Sequence, residues 1–105
     1  MADYDLYGID ASTLNDAAKL IVALLPLPFR PHNSSYIGEY FRAHGEGDET
    51  FKLRENIDPD DGEPAEADYP SHKFLLYVDG SGRGSDLRQT FRAHHSITLL
   101  RHECL

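Results

Sequence analysis

Six histidines are the first side chains in this sequence that could bind a metal ion or transfer a proton. They show no HExxH spacing, and the single cysteine, Cys104, cannot complete a zinc site of paired cysteines and histidines. The adjacent residues His94 and His95 are typical of a helix end, where the helix dipole favours a cation. We therefore expect no metal site among the histidines, which are His32, His44, His72, His94, His95 and His102.

A glycine-rich turn, Gly80 to Gly84, is the second candidate, because it lies between a predicted strand and a predicted helix. Backbone amides at such a turn can hold a phosphate group. The turn lacks the Lys-Ser/Thr ending of a P-loop and the spacing of a dinucleotide-binding loop, and no GxSxG motif marks a nucleophile. We predict a flexible turn, no cofactor and no enzymatic activity. The alternative is a small-molecule-binding or catalytic domain that uses this turn and an open sheet face.

The carboxylates are the third candidate, and they are concentrated in the middle of the chain. The formal net charge is -8, and residues 39–68 carry eleven acids against three bases, which accounts for the whole excess. No base interrupts residues 55–68, where seven carboxylates lie. A protein of this charge repels a phosphate backbone, so we expect no direct binding of nucleic acid.

This acidic stretch could bind calcium or a basic protein. With Asn56 as the first ligand, Asp58 and Asp60 take the third and fifth positions of a calcium loop. Asp61, however, replaces the required glycine, and Ala67 replaces the bidentate acid, so we expect no metal site here. A solvated acidic loop is the simplest interpretation. We predict a docking surface, because concentrated negative potential speeds the encounter with a basic partner and prolines reduce the entropy lost on ordering.

The predicted docking surface joins this loop to the preceding hairpin. Tyrosines could supply the aromatic anchors that charge alone does not, although each could equally pack in the core. The predicted partner-binding residues are Tyr36, Tyr40, Glu55, Asp58, Asp60, Asp61, Glu63, Glu66, Asp68 and Tyr69.

Two helices and five strands are predicted to position these residues. Apolar residues recur at helical spacing from Leu14 to Leu25, with Ser12 or Asp10 as the candidate cap, and Pro26 ends the pattern. The second helix is predicted over about residues 85–94, with Ser85 as its candidate cap. Residues 27–33 carry further prolines and are predicted to be irregular. The predicted strands are residues 5–9, 35–44, 50–57, 74–78 and 97–105.

The resulting order, βαβββαβ, predicts one α+β domain over residues 1–105. We expect a two-layer sandwich with a mixed sheet of about five strands and both helices on one face. Each helix could serve as a crossover between parallel neighbours. The other face, with Tyr and Arg at alternating positions, is expected to be open to solvent or to a partner.

The sequence also predicts a soluble, cytoplasmic protein. Residues 1–10 have no basic region followed by an apolar run, as a secretory signal would. The longest apolar stretch, residues 20–28, is too short to span a bilayer. Cys104 cannot form an internal disulfide, and the run that contains it is typical of a buried strand. The oligomeric state is left open.

Four stretches together resemble small acidic immunity proteins of bacterial toxin systems, the class that includes contact-dependent inhibition; they are residues 34–41, 51–58, 74–78 and 97–101. The resemblance implies a protein that binds one cognate toxin domain tightly and blocks its active site or its substrate surface. It assigns no active-site residues. The expected toxin domain is basic, for instance a nuclease whose groove would take the acids in place of phosphates. A subunit of a housekeeping oligomer is a further alternative.

Overall fold

The computed structural model describes residues 2–105, and Met1 lies outside the described residues. The predicted α+β class is confirmed, but the sheet has six strands rather than about five, in the order β2-β3-β4-β5-β1-β6. Along the chain the elements are β1 (Asp3–Ile9), α1 (Leu14–Leu24), β2 (Arg30–Ser34), β3 (Gly38–His44), β4 (Thr50–Glu55), β5 (Phe74–Ser81), α2 (Gly84–Arg92) and β6 (Ile97–Cys104).

Every neighbouring pair of strands in this sheet is antiparallel, so the prediction of a mixed sheet is wrong. The reason is the position of β1, which inserts between β5 and β6. The two strands that α2 connects therefore run in the same direction without being neighbours. Similarly, α1 leads from the inner strand β1 to the edge strand β2.

The additional strand is β2, which lies within the segment predicted to be irregular. It pairs with β3 in a register that places Arg30 opposite Arg42 and Pro31 opposite Phe41. Proline is tolerated here because an edge strand needs hydrogen-bond donors on one side only. The chain then turns at residues 35–37, so β3 begins at Gly38 rather than at Ser35.

The core lies between one face of the sheet and both helices, as predicted. Helix α1 is capped by Thr13, whose Oγ1 accepts a 3.0 Å hydrogen bond from the Asp16 amide, and not by Ser12 or Asp10. Burying one large apolar side chain of this core contributes about 1.5–3 kcal/mol. The central buried residues are Tyr7, Ile9, Ala17, Ile21, Phe51, Leu53, Phe74, Leu76, Val78, Leu87 and Phe91.

The opposite face of the sheet is open only in part. Leu6 and Leu75 point to this face, yet they are 1% and 0% exposed. Residues 56–73, called here the covering segment, fold back across β5, β1 and β6 and contact this face. Burial on both faces explains why residues 74–78 form a continuous apolar run.

Three smaller features complete the fold. Helix α2 starts at Gly84 with no side-chain cap, so Ser85 does not have the predicted capping role. His94 and His95 follow the helix, with their rings stacked at 5.0 Å between centroids. Cys104 lies in β6 but is exposed, which corrects the expectation of a buried strand. Within residues 2–105 neither helix has the length and apolar character needed to cross a membrane.

Candidate partner-binding surface

The covering segment is fastened at its two ends by one buried amide. Asn56 directly follows β4 and is 6% exposed. Its Nδ2 donates to the carbonyl oxygens of Tyr69 and His72, both at 2.9 Å, and its Oδ1 accepts from the Glu66 amide at 2.9 Å. These three hydrogen bonds take the place of hydrogen bonds to water. Burial of the amide therefore leaves no polar group unpaired, and the side chain stabilises the segment.

Glu66 and Tyr69, which are predicted partner-binding residues, have side chains directed onto the sheet. The Tyr77 hydroxyl donates to Glu66 Oε2 at 2.6 Å, and Arg101 Nη1 donates to Glu66 Oε1 at 3.1 Å. The Tyr69 hydroxyl donates to the Leu100 carbonyl at 2.9 Å. Burial raises the pKa of Tyr77, and the hydrogen bond to Glu66 raises it further. These two side chains hold the covering segment in place.

The C-terminal end of the covering segment packs closely against β1. His72 lies over Gly8 of β1, where a Cβ added to the glycine would be 2.5 Å from Nδ1 of the imidazole ring. Glycine therefore allows the segment to approach the strand backbone.

The exposed part of the segment is a self-supporting turn, called here the acidic turn and defined by Asp58, Asp60, Asp61 and Glu63. The Asp58 amide donates to the Glu63 carbonyl at 2.7 Å, which closes the turn. Side-chain oxygens of Asp58 and Asp61 accept from the amides of Asp60 and Glu63 at 3.0 and 2.9 Å. Gly62, with φ of 72°, supplies a left-handed conformation that other residues rarely adopt. The carboxylates are thus presented on an ordered backbone.

No ion pair within residues 2–105 involves a carboxylate of the acidic turn. Three of its four acids are exposed, and Asp58 is half-buried. The arginines that do form ion pairs are committed elsewhere: Arg83 to Glu46 and Glu49, Arg88 to Asp3 and Asp5, and Arg101 to Glu66 and Glu103. The turn therefore carries uncompensated negative charge.

The remaining predicted site residues differ in exposure and in the face of the sheet on which they lie. Asp68 is exposed, whereas Glu55 is half-buried on the helix side of β4. Tyr36 is 81% exposed in the turn before β3. Because β3 begins beside the end of β4, Tyr36 and the acidic turn lie at the same end of the sheet. Tyr40 is half-buried on the opposite face, where its ring stacks on His32 at 5.3 Å.

A cluster of cations lies on the uncovered half of that face, where the alternating pattern had predicted tyrosine and arginine but had not grouped these four residues. We call it the basic face and define it by Arg30, Arg42, Lys52 and Arg54. The register places Arg30, Arg42 and Lys52 directly opposite one another across β2, β3 and β4. Among residues 2–105 none of the four is within ion-pair distance of a carboxylate. The alternating pattern of residues 36–42 contained this signal, but the pairing of three strands was needed to align it.

The glycine-rich turn between β5 and α2 is held by a buried carboxylate. Glu49 is 0% exposed, accepts from the Ser81 hydroxyl at 2.6 Å and pairs with Arg83 Nη2 at 2.7 Å. Burial by itself would raise the pKa of Glu49, but the hydrogen bonds from Arg83 and Ser81 outweigh burial and lower it. With Glu46 and Asp3 also beside this turn, the local charge opposes the binding of a phosphate group.

A second polar cluster connects α2 to β1 and β6. The buried carboxylate of Asp5 accepts from Arg88 Nη1 at 2.9 Å and contacts His102 Nδ1 at 2.5 Å. The pKa of the Cys104 thiol is raised, first by its hydrogen bond with Asp3, which reduces the thiolate fraction. No group of three or more histidine, cysteine or acidic side chains within residues 2–105 is arranged to hold a metal ion.

Comparison with known proteins adds no assignment to this geometry. No protein-family model matches the chain, and no curated protein matches its sequence.

Proposed function

We propose that this chain is a non-catalytic immunity protein that binds and neutralises a cognate bacterial toxin domain through the acidic turn and the neighbouring hairpin. The observation that supports the proposal is the acidic turn itself: the carboxylates of Asp58 and Asp61 accept hydrogen bonds from backbone amides of the turn, and none of its four acids forms an ion pair within residues 2–105. An ordered turn loses little conformational entropy on binding, so more of the electrostatic attraction remains as affinity.

The partner surface that fits this turn is basic. Ion pairs with lysine or arginine would neutralise carboxylates that form no ion pair within residues 2–105, and the negative potential would increase the association rate. Tyr36, which is 81% exposed at the same end of the sheet, could supply a large aromatic contact beside the charges. A toxin that acts on nucleic acid has such a basic substrate groove, and occupation of the groove by the turn would exclude the substrate. A cytoplasmic location belongs to the same proposal.

The test is capture of the toxin domain by the intact protein, followed by binding kinetics with a turn-neutralised variant. That variant carries Asp58→Asn, Asp60→Asn, Asp61→Asn and Glu63→Gln. Asparagine keeps the side-chain oxygens that accept from the Asp60 and Glu63 amides, so the turn should retain its shape. A matched control removes four exposed charges outside the acidic turn and the hairpin: Asp10→Asn, Asp16→Asn, Asp86→Asn and Glu103→Gln.

At low salt the turn-neutralised variant should associate about tenfold more slowly than the control, with a flatter dependence on salt concentration. The intact protein should also inhibit the toxin in a stoichiometric complex. Equal association rates for the two folded variants would remove the acidic turn from the interface.

A further inference from the structure

The basic face is the strongest surface that the proposed function does not use. Arg30, Arg42 and Lys52 form a row across three strands, with roughly 5 Å between neighbouring Cβ positions. Like charges directly opposite each other destabilise a sheet. An anionic surface placed over the row would relieve this repulsion.

The hydrogen bonds of Arg54 and the ring contact of Lys52 are made with neutral groups. Lys52 Nζ lies 5.0 Å from the centroid of the Tyr77 ring. Arg54 donates to the carbonyl oxygens of Glu55 and Ile57 at 3.1 and 3.0 Å. Asp79 approaches Lys52 on the same face, but the two do not form an ion pair. The row therefore keeps its positive charge available.

The acidic turn begins at the edge of this basic face. Arg54 Nη2 donates a hydrogen bond to the carbonyl oxygen of Ile57, the residue directly before Asp58. The covering segment that contains the turn lies on the same side of the sheet as the basic face. One side of the molecule thus carries two neighbouring surfaces of opposite charge, neither of which forms an ion pair in the described chain.

We propose that the basic face binds the acidic turn of a second copy of this chain, in a two-fold symmetric dimer. Two-fold symmetry brings the same patch of both subunits together, so a patch that carries both charges is complementary to itself. Each copy then supplies one turn and one face. The proposal does not depend on the toxin partner, although a second copy and a basic partner would compete for the same turn.

The test is sedimentation of the purified full chain, which needs no partner. The net charge of -8 opposes self-association, so the dimer depends on the local pairs and should weaken with salt. We expect a reversible dimer at about 30 mM salt and a dissociation constant about tenfold weaker at about 0.5 M salt.

Two charge-reversed variants make the test specific. Arg42→Glu with Lys52→Glu reverses the basic face, and Asp60→Lys with Glu63→Lys reverses the acidic turn while keeping the side-chain oxygens of Asp58 and Asp61 that shape it. Each variant alone should be monomeric, because face and turn then repel each other. An equimolar mixture should restore the dimer, because both contacts become complementary again.

A matched control separates the location of the charges from their number. Lys19→Glu with Arg92→Glu makes the same change in net charge as Arg42→Glu with Lys52→Glu, but at exposed helix positions. This control should dimerise like the unmodified chain. Circular dichroism establishes that each variant is folded.

Three results would overturn the proposal. The first is a monomeric chain at low salt up to about 1 mM protein. The second is failure of the mixed variants to associate while both are folded. The third is binding of single-stranded thymidine oligonucleotide by a monomeric chain, lost on reversal of the basic face, which would assign that face to a nucleic acid instead.

Discussion

Asn56 Nδ2 donates a 2.9 Å hydrogen bond to the carbonyl oxygen of Tyr69, and thereby ties the end of β4 to the far end of the covering segment. The same amide also reaches His72 and Glu66, so one side chain sets the path of the acidic turn between them. The acidic turn is therefore positioned by a residue that does not belong to it.

Asn56→Ala should lower the free energy of unfolding by about 2–3 kcal/mol, because it leaves buried backbone groups without partners. Amide hydrogen exchange should increase in residues 57–72, while the core strands keep their relative protection. Ile57→Ala, at an exposed neighbouring position, is the control and should change little. If residues 57–72 exchange no faster in Asn56→Ala than in Ile57→Ala, Asn56 does not position the segment.

Gly8→Ala tests the close packing of the segment against β1. The added methyl group would collide with the ring of His72, so the C-terminal end of the covering segment must shift. We expect a loss of about 1–3 kcal/mol in urea denaturation. Gly82→Ala is the matched control, because a Cβ there meets no atom within 4 Å and the backbone has no positive φ. Equal stability of the two variants would contradict this packing.

Glu49→Gln should destabilise the protein by about 3 kcal/mol at neutral pH, because Arg83 loses its buried carboxylate partner and keeps only the exposed Glu46. Glu46→Gln, which changes the exposed acid on the same arginine, should have a smaller effect. Urea denaturation of both variants at pH 7 measures the difference. A larger effect at Glu46 would mean that the buried pair does not hold the turn.

The same carboxylate predicts a direction for the pH dependence of stability. The pKa of Glu49 is lower in the folded chain than its ordinary value of 4.5, so the unfolded chain binds the proton more readily. The stabilisation is fully present above that ordinary value and is lost as the pH falls through the lower folded pKa. The difference in unfolding free energy between the unmodified chain and Glu49→Gln should therefore shrink on acidification. A difference that stays constant down to about pH 3 would contradict the assignment.

Tyr7→Phe should raise the free energy of unfolding by about 1 kcal/mol. Tyr7 is 1% exposed, and its buried hydroxyl makes no hydrogen bond of normal geometry among residues 2–105, although the carboxylate of Asp5 is close enough to interact with it. Burial raises the pKa of Tyr7, and the neighbouring Asp5 carboxylate raises it further, so the group stays neutral. The ring would keep its edge-to-face contact with Phe91 at 4.9 Å. A loss of stability in thermal denaturation would reveal a hydrogen bond to the hydroxyl.

Local pattern was sufficient to predict the helices and the inner strands, because each buries a recognisable apolar face. The apolar spacing of α1 and the continuous run of β5 are examples. Strand β2 was missed since its residues are almost all exposed and include Pro31, which only an edge position tolerates. The antiparallel order was also missed, because it depends on β1 pairing with strands near the other end of the chain.

The acidic turn could be located from composition alone, since carboxylates without intervening bases mark a surface. The inward direction of Glu66 and Tyr69 could not, because it depends on sheet partners that lie 35 and 31 residues further along the chain. The basic face could not be predicted for the same reason, because it also depends on contacts between distant parts of the chain. Its cations come from three strands, and no window of sequence shows that Arg30 and Lys52 share a row.

The insertion of β1 between β5 and β6 also affects when the protein can fold. Both neighbours of β1 lie far along the chain, since β5 begins at Phe74 and β6 at Ile97, so the buried residues of β1 have no sheet partner until those strands have been synthesised. The sheet can close only after most of the chain has left the ribosome, and the distant pairing gives a high contact order. Folding should accordingly be slow, with the hairpin of β3 and β4 available as a local starting point.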